Sequence, residues 1–210
     1  MFDWGALELL SVTSLTSEIN MRLLRLAALY TALALGANAS ATTSFADPAL
    51  EALREGGMKK LIFHAEPKPV SDAVFLHEDG SEITLADLAG KYTVLNFWAT
   101  WCAPCRHEMP SLNALGNEFN GDTFQVVTIA TGRNKPAAID RFFDEAEIDV
   151  LPKHTDAKQT LARGMAVLGL PITVILDPDG QEIARLRGDA DWYSDSARAI
   201  VAAMIAPPES

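Results

Sequence analysis

The chain has two cysteines among its 210 residues, and they lie three apart in Trp101-Cys102-Ala103-Pro104-Cys105. So close a pair admits three chemistries. As a structural cross-link it would do little, because the stabilisation a disulfide gives rises with the length of the loop it closes. As a zinc site it needs two further ligands, and His64, His77, His107 and His154 show no pair at ligand spacing. As a redox pair it is well placed, since an apolar run ends just before it and a helical pattern begins with it. At a helix N-terminus the free N–H groups and the positive end of the dipole stabilise a thiolate. Cys102 is therefore the expected nucleophile. Cys105, a turn deeper, is the expected resolving thiol, attacking Cys102 in a mixed disulfide. Pro104 restricts the backbone between them and has no N–H to lose at a helix start.

The elements that must position this pair are legible on either side of it. Tyr92 to Trp98 is a continuous run rich in apolar and aromatic residues, short enough for a central strand covered on both faces. Cys102 to Phe119 reads as a helix with Met109, Leu112 and Leu115 on one side, interrupted by Pro110. Thr123 to Ala130 is the next strand. Asn134 is expected to cap a helix over 136–146, and Asp156 one from Ala157 to Gly164. Ile172 to Leu176, the turn Asp177-Pro178-Asp179-Gly180 and Glu182 to Leu186 form a hairpin, and Ser194 opens a last helix through Met204. Upstream, Val74 to His77 and Glu82 to Thr84 flank a Gly80 turn and read as an N-terminal β-hairpin. Asp47-Pro48 starts a short helix that stops at Gly56-Gly57, and 65–70, with Pro67 and Pro69, reads as a linker. The order describes an α/β domain, a mixed central sheet with helices on both faces.

With 49% hydrophobic and 21% charged residues, the chain can bury a core and carries no signature of disorder. Its net charge of −11 repels phosphate backbones and anionic headgroups, which argues against nucleic acid as partner. Met21-Arg22-Leu23-Leu24-Arg25, the apolar run Leu26 to Leu35 and the small residues to Ala41 describe a secretory signal peptide over 21–41, cleaved after Ala39 or Ala41. A retained inner-membrane anchor is the alternative, although the run is about half the roughly 20 residues a span requires. Residues 1–20 hold acids and no base, so translation is expected to begin at Met21, a true extension being the alternative. The expected organisation is the leader, a helix and linker over 42–70, the domain over 71–206 and a tail over 207–210.

The segment Asn96-Phe97-Trp98-Ala99-Thr100-Trp101-Cys102-Ala103-Pro104-Cys105-Arg106-His107-Glu108-Met109-Pro110 resembles the active-site segment of the TlpA/ResA/CcmG group of thioredoxin-like proteins. The similarity continues through Gly169-Leu170-Pro171-Ile172-Thr173-Val174, the turn at 177–180 and Asp191-Trp192, covering roughly 70–204. The resemblance implies a three-layer thioredoxin-like fold and a periplasmic thiol reductase. Its substrates would be cysteine-containing exported proteins, apocytochromes c or the copper-chaperone and oxidase proteins of copper-site assembly. A membrane electron donor of CcdA/DsbD type would supply it, and no cofactor or metal is expected. Pro171 matches the family's cis-proline, which would leave the Leu170 backbone free to pair with an extended substrate segment. Trp101, Pro104, Leu170 and Pro171 are the expected substrate contacts.

Glu108, three residues past Cys105, returns to the same helical face, and the resemblance gives it proton handling for Cys105. A solvent-exposed helix glutamate is the plain alternative. Asn96 stands where thioredoxin carries a buried acid, which favours Glu108 as its replacement. Trp98 is assigned to the core, Arg106 and His107 to a solvated face, and His154 to a surface loop. Three other functions compete with reduction: a disulfide-forming oxidase, a Cu(I) metallochaperone and a non-catalytic binding module. Peroxidase chemistry does not call for a resolving cysteine so close by.

Overall fold

The computed structural model describes residues 47–207. Residues 1–20, the leader expected over 21–41 with Ala39 and Ala41, and residues 208–210 of the tail lie outside the described residues. The strands are β1 (Ile62–Lys68), β2 (Phe75–Leu76), β3 (Glu82–Ile83), β4 (Tyr92–Trp98), β5 (Phe124–Thr131), β6 (His154–Asp156), β7 (Ile172–Leu176) and β8 (Glu182–Arg187). The α-helices are α1 (Pro48–Ala52), α2 (Ala103–Phe119), α3 (Pro136–Glu145), α4 (Thr160–Gly164) and α5 (Asp195–Ile205).

The eight strands among the described residues form one mixed sheet in the order β1-β8-β7-β4-β5-β6-β2-β3. β4 runs parallel to β5 and antiparallel to β7, so it has a hydrogen-bonded neighbour on each side. Alternation along β4 divides it between two cores: Val94 and Trp98 join the cluster with Met109, Leu112 and Leu115 of α2. Leu95 and Phe97 join the one with Leu161 and Ala162 of α4. The faces of α3 (Ile139, Phe142, Phe143) and α5 (Ile200, Val201, Met204) complete the first core. Both faces of β4 are thereby dry, which is why its sequence is largely apolar throughout rather than alternating.

Several local readings are confirmed by the capping atoms. Asp47 accepts from Ala49 N–H at 2.8 Å with Pro48 in the first turn of α1. Ser194 accepts from Ala197 N–H at the start of α5. Others need correction. The stretch expected as a linker at 65–70 is strand as far as Lys68, because an edge strand with one free side tolerates Pro67. Asn134 does not cap α3: Lys135 holds the cap position with no side-chain bond, and Asn134 reaches elsewhere. Asp156 ends β6, and α4 begins only at Thr160, after Gln159 at φ 57°. The Asp156 carboxylate still accepts from Thr160 and Ala162 N–H groups, satisfying the helix start from outside it. His154, expected on a surface loop, is buried in β6. It packs 4.7 Å from the His77 ring and 5.9 Å from Phe75, under the hairpin made by β2 and β3.

Candidate active site

The chain leaves β4 at Trp98 and turns through Ala99-Thr100-Trp101 to Cys102, which occupies the N-cap of α2. The Cys102 N–H donates to the Ala99 carbonyl at 3.1 Å, and its own carbonyl accepts from Arg106 N–H at 3.1 Å. Its sulfur accepts from Cys105 N–H at 3.3 Å, taking the place an oxygen takes in a Ser or Asp cap. Cys102 and Cys105 are joined by a disulfide. Cys102 is 6% exposed and Cys105 0%, so of the two residues only Cys102 keeps any surface open to an incoming thiol or disulfide. The turn is clamped from the neighbouring strand's loop. Asn134 Oδ1 accepts from both Thr100 N–H (2.8 Å) and Thr100 Oγ1 (3.0 Å), while its Nδ2 donates to the Thr131 carbonyl.

Around the pair, Trp101 is 64% exposed and Pro104 is exposed, whereas Trp98 is buried against Phe142 and Phe143. Arg106 lies 4.5 Å over the Phe142 ring, and His107 is solvated, facing Asp189 at 3.6 Å. The Leu170–Pro171 peptide is cis. Leu170 is half-buried and packs against the core cluster that holds both cysteines. Pro171 lines a cleft of about 290 Å³ with Leu168, Leu170, Ile172, Arg187 and Gly188. The Leu168 side of this cleft is nearly fully exposed.

Glu108 sits one turn beyond Cys105 and is 1% exposed, not solvated on the helix surface. Its Oε1 accepts from Asn96 Nδ2 at 2.8 Å, and its Oε2 from Ala190 N–H (3.2 Å) and Trp192 Nε1–H (3.3 Å). Burial pushes its pKa up to about 7; the three neutral donors oppose that rise and the nearby Asp189 charge adds to it. The Glu108 carboxyl group is thus a buried group poised to change charge near neutrality, one helical turn from Cys105 on α2.

Sequence reasoning missed Thr173, Ala190, Trp192 and Asn134 as parts of this arrangement. For Thr173 a signal existed. Asn96 and Thr173 are polar residues within largely apolar strands, and they face one another in the β4–β7 register. Trp192 was noticed only as part of a resemblance, and nothing in its spacing shows that it closes over a glutamate 84 positions earlier.

Comparison with known proteins agrees with this geometry. Residues 68–184 match the AhpC/TSA family, and the chain belongs to it. Within that thioredoxin-like family it is of the TlpA/ResA/CcmG type. It is 31% identical over 116 residues to thiol-disulfide oxidoreductase ResA of Bacillus subtilis, covering 54% of this chain and 64% of ResA. It is 36% identical over 122 residues to the thioredoxin-like protein YneN of the same organism, covering 58% of this chain and 71% of YneN. The chain thus spans slightly less than two thirds of the ResA relatives' length. A candidate thiol:disulfide interchange protein DsbE from Chlorobium tepidum superposes with a TM-score of 0.59 at 23% identity, covering 67% of this chain and 97% of that one, and shares the fold. A secreted Mycobacterium tuberculosis disulfide oxidoreductase, homologous to E. coli DsbE, superposes with a TM-score of 0.53 at 26% identity, covering 63% and 96% of the two chains.

Proposed function

We propose that this protein is a thiol:disulfide oxidoreductase of the periplasm that reduces cysteine pairs in exported proteins. One observation carries the reading: a reachable Cys102 sulfur on a helix N-terminus, bonded to a buried Cys105 that has a buried, near-neutral glutamate one turn away. In the reduced protein the Cys102 thiolate attacks a substrate disulfide. One substrate sulfur leaves as a thiolate and takes up a proton. Cys105 then gives its proton to the Glu108 carboxylate, and its thiolate attacks the Cys102 sulfur. The mixed disulfide breaks, the second substrate thiolate leaves, and the Cys102–Cys105 bond forms. The substrate gains two electrons and the protein loses two.

An oxidising compartment would leave the pair oxidised, so the cycle requires a dedicated dithiol donor, here of the membrane CcdA/DsbD type. Trp101, Pro104, Leu170 and Pro171 form the substrate contacts, the Leu170 backbone pairing with an extended segment. The similarity to a secreted disulfide oxidoreductase supports a site of action outside the cytoplasm, and the proposed substrates carry the cysteine pairs of haem or copper sites. The test is capture in the envelope. Cys105→Ser should accumulate mixed disulfides with exported proteins that carry closely spaced cysteines, and Cys102→Ser should accumulate none. Equal capture by both variants, or captured proteins without such pairs, would overturn the reading.

A further inference from the structure

Glu108 is held by fixed donors on one oxygen and by a reversible group on the other. The Ala190 N–H and the Trp192 indole N–H, which meet Oε2, can only donate. At Oε1 the partner is the Asn96 amide, whose two Nδ2 hydrogens go to Glu108 (2.8 Å) and to Thr173 Oγ1 (2.9 Å). The Asn96 side chain is fully buried, and its Oδ1 has no hydrogen-bond partner among the described residues. An unpaired acceptor in a dry interior is uncommon, because losing water without a replacement is unfavourable.

Turning the amide over exchanges Oδ1 with Nδ2 and moves the Nδ2 hydrogens to the place where Oδ1 has no partner, a cost that the new bonds to Oδ1 must offset. The oxygen would then face Glu108 Oε1 and Thr173 Oγ1, and both of those can donate, the carboxyl group through its O–H when protonated and the threonine through its hydroxyl hydrogen. With Glu108 ionised, that orientation would set acceptor against acceptor. With Glu108 protonated, Oε1 could still accept from Nδ2, but its O–H would have no acceptor in the present orientation, because the partner shown at Oε1 is a donor. The added proton belongs on Oε1, since neither donor at Oε2 can accept it.

We propose that Asn96 is a positioning residue whose amide turns over as Glu108 gains or loses its proton, donating to the carboxylate and accepting from the acid, with the Thr173 hydroxyl reversing in step. The role deepens the proposed function, since it rests on Glu108 taking the Cys105 proton. It gives the incoming proton a partner at Oε1 without admitting water. The charged group that acts on Glu108 is Asp189, from the segment between β8 and α5, and Cys105 lies one turn before it on α2. Asp189 is itself approached by Lys60 (3.8 Å) and His107 (3.6 Å).

The experiment uses the oxidised full-length protein, in which neither cysteine titrates. Nuclear magnetic resonance follows the Glu108 carboxyl carbon and the Asn96 side-chain amide through the neutral range. Both are expected to move with one shared midpoint. Asn96→Leu, which fills the space without hydrogen-bonding groups, should raise the carboxyl midpoint by about one pH unit, a tenfold change, because bonds to the charged form are the stronger ones. Asn96 amide signals that stay still while Glu108 titrates would overturn the proposal, and so would an unchanged midpoint in folded Asn96→Leu. Should that variant not fold, the wild-type titration decides alone. Failure of the exchange reading shows elsewhere: Cys105 in the Cys102→Ser protein would then alkylate with a pH dependence indifferent to Glu108→Gln.

Discussion

Glu108 and Glu182 are the same side chain at nearly the same depth, 1% and 4% exposed, and their carboxyl groups are driven in opposite directions. Burial favours the neutral form of each. At Glu108 the opposing hydrogen bonds come from an amide, a backbone N–H and an indole, all uncharged, and burial wins. At Glu182, Arg185 supplies two N–H groups at 2.8 and 2.6 Å and His64 Nε2 lies 2.8 Å away. There the hydrogen bonds and charges of Arg185 and His64 outweigh burial, and the pKa falls below the ordinary glutamate range. Depth therefore does not decide whether a buried glutamate is reactive. Whether its donors carry charge does. Glu182 stands at the start of β8, where β1 and β7 pair on either side, and works as a lock. Glu108 remains free to change charge.

The comparison breaks most visibly at the lock. Glu182→Leu leaves the Arg185 guanidinium without its partner among β1, β7 and β8, where its side chain is 14% exposed. Removing one partner of a buried pair costs roughly 3–5 kcal/mol, and the partial access of water to Arg185 puts the expected loss at roughly 3 kcal/mol in urea unfolding at pH 7. Glu182→Leu combined with Arg185→Met should recover much of that loss, since no charge is then stranded. With its depressed pKa, Glu182 contributes stability that is present above the unfolded-state pKa and lost as pH falls through the folded one. An equally unstable double variant would show that the lock acts through packing rather than charge.

Glu108 should give the opposite slope. Its raised pKa means that the folded protein holds a proton the unfolded chain has released, so its contribution is full below about pH 4.5 and is lost as pH rises through about 7. From 4.5 to about 7 the difference corresponds to roughly 3 kcal/mol. Glu108→Gln removes that loss but weakens about one hydrogen bond, worth about 1 kcal/mol. The variant is thus expected to be roughly 2 kcal/mol more stable than wild type at pH 8.5 and no more stable at pH 4.5, while the disulfide-exchange rate loses its inflection near neutrality. A destabilised Glu108→Gln at pH 8.5 would make Glu108 a second structural anchor like Glu182.

The sequence carried one of these two glutamates and not the other, for a physical reason. Glu108 was noticeable because it shares a helix face with Cys105, a local relation that spacing reveals. Its burial was not legible, since the groups that cover it are Ala190 and Trp192, brought in by chain closure some 80 positions later. Glu182 lies in a hairpin strand that was read correctly, yet its partner His64 comes from β1, whose first residues precede a Pro-rich stretch taken as a linker. The elements around the cysteines were legible because β4 and β7 are short, largely apolar runs and α2 repeats its apolar residues at helical spacing. β6 was missed because three residues, His154 to Asp156, carry no periodicity, and the burial of His154 depends on a hairpin laid over it.

The smallest expected effect isolates a single donor at Glu108. Trp192→Phe deletes the indole N–H that meets Oε2 at 3.3 Å and leaves the Ala190 N–H in place at 3.2 Å. Trp192 is fully buried, so the smaller ring also leaves a void, which lowers overall stability by on the order of 1–3 kcal/mol. That loss is common to both protonation states and cancels from the carboxyl titration, whereas the lost hydrogen bond does not. A long bond shared at one oxygen is expected at the low end for charged acceptors, so the Glu108 midpoint should rise by about half a pH unit. The carboxyl carbon resonance of the oxidised variant measures this directly. An unmoved midpoint would assign Trp192 to packing alone and leave Asn96 and Ala190 as the groups that set the charge of Glu108.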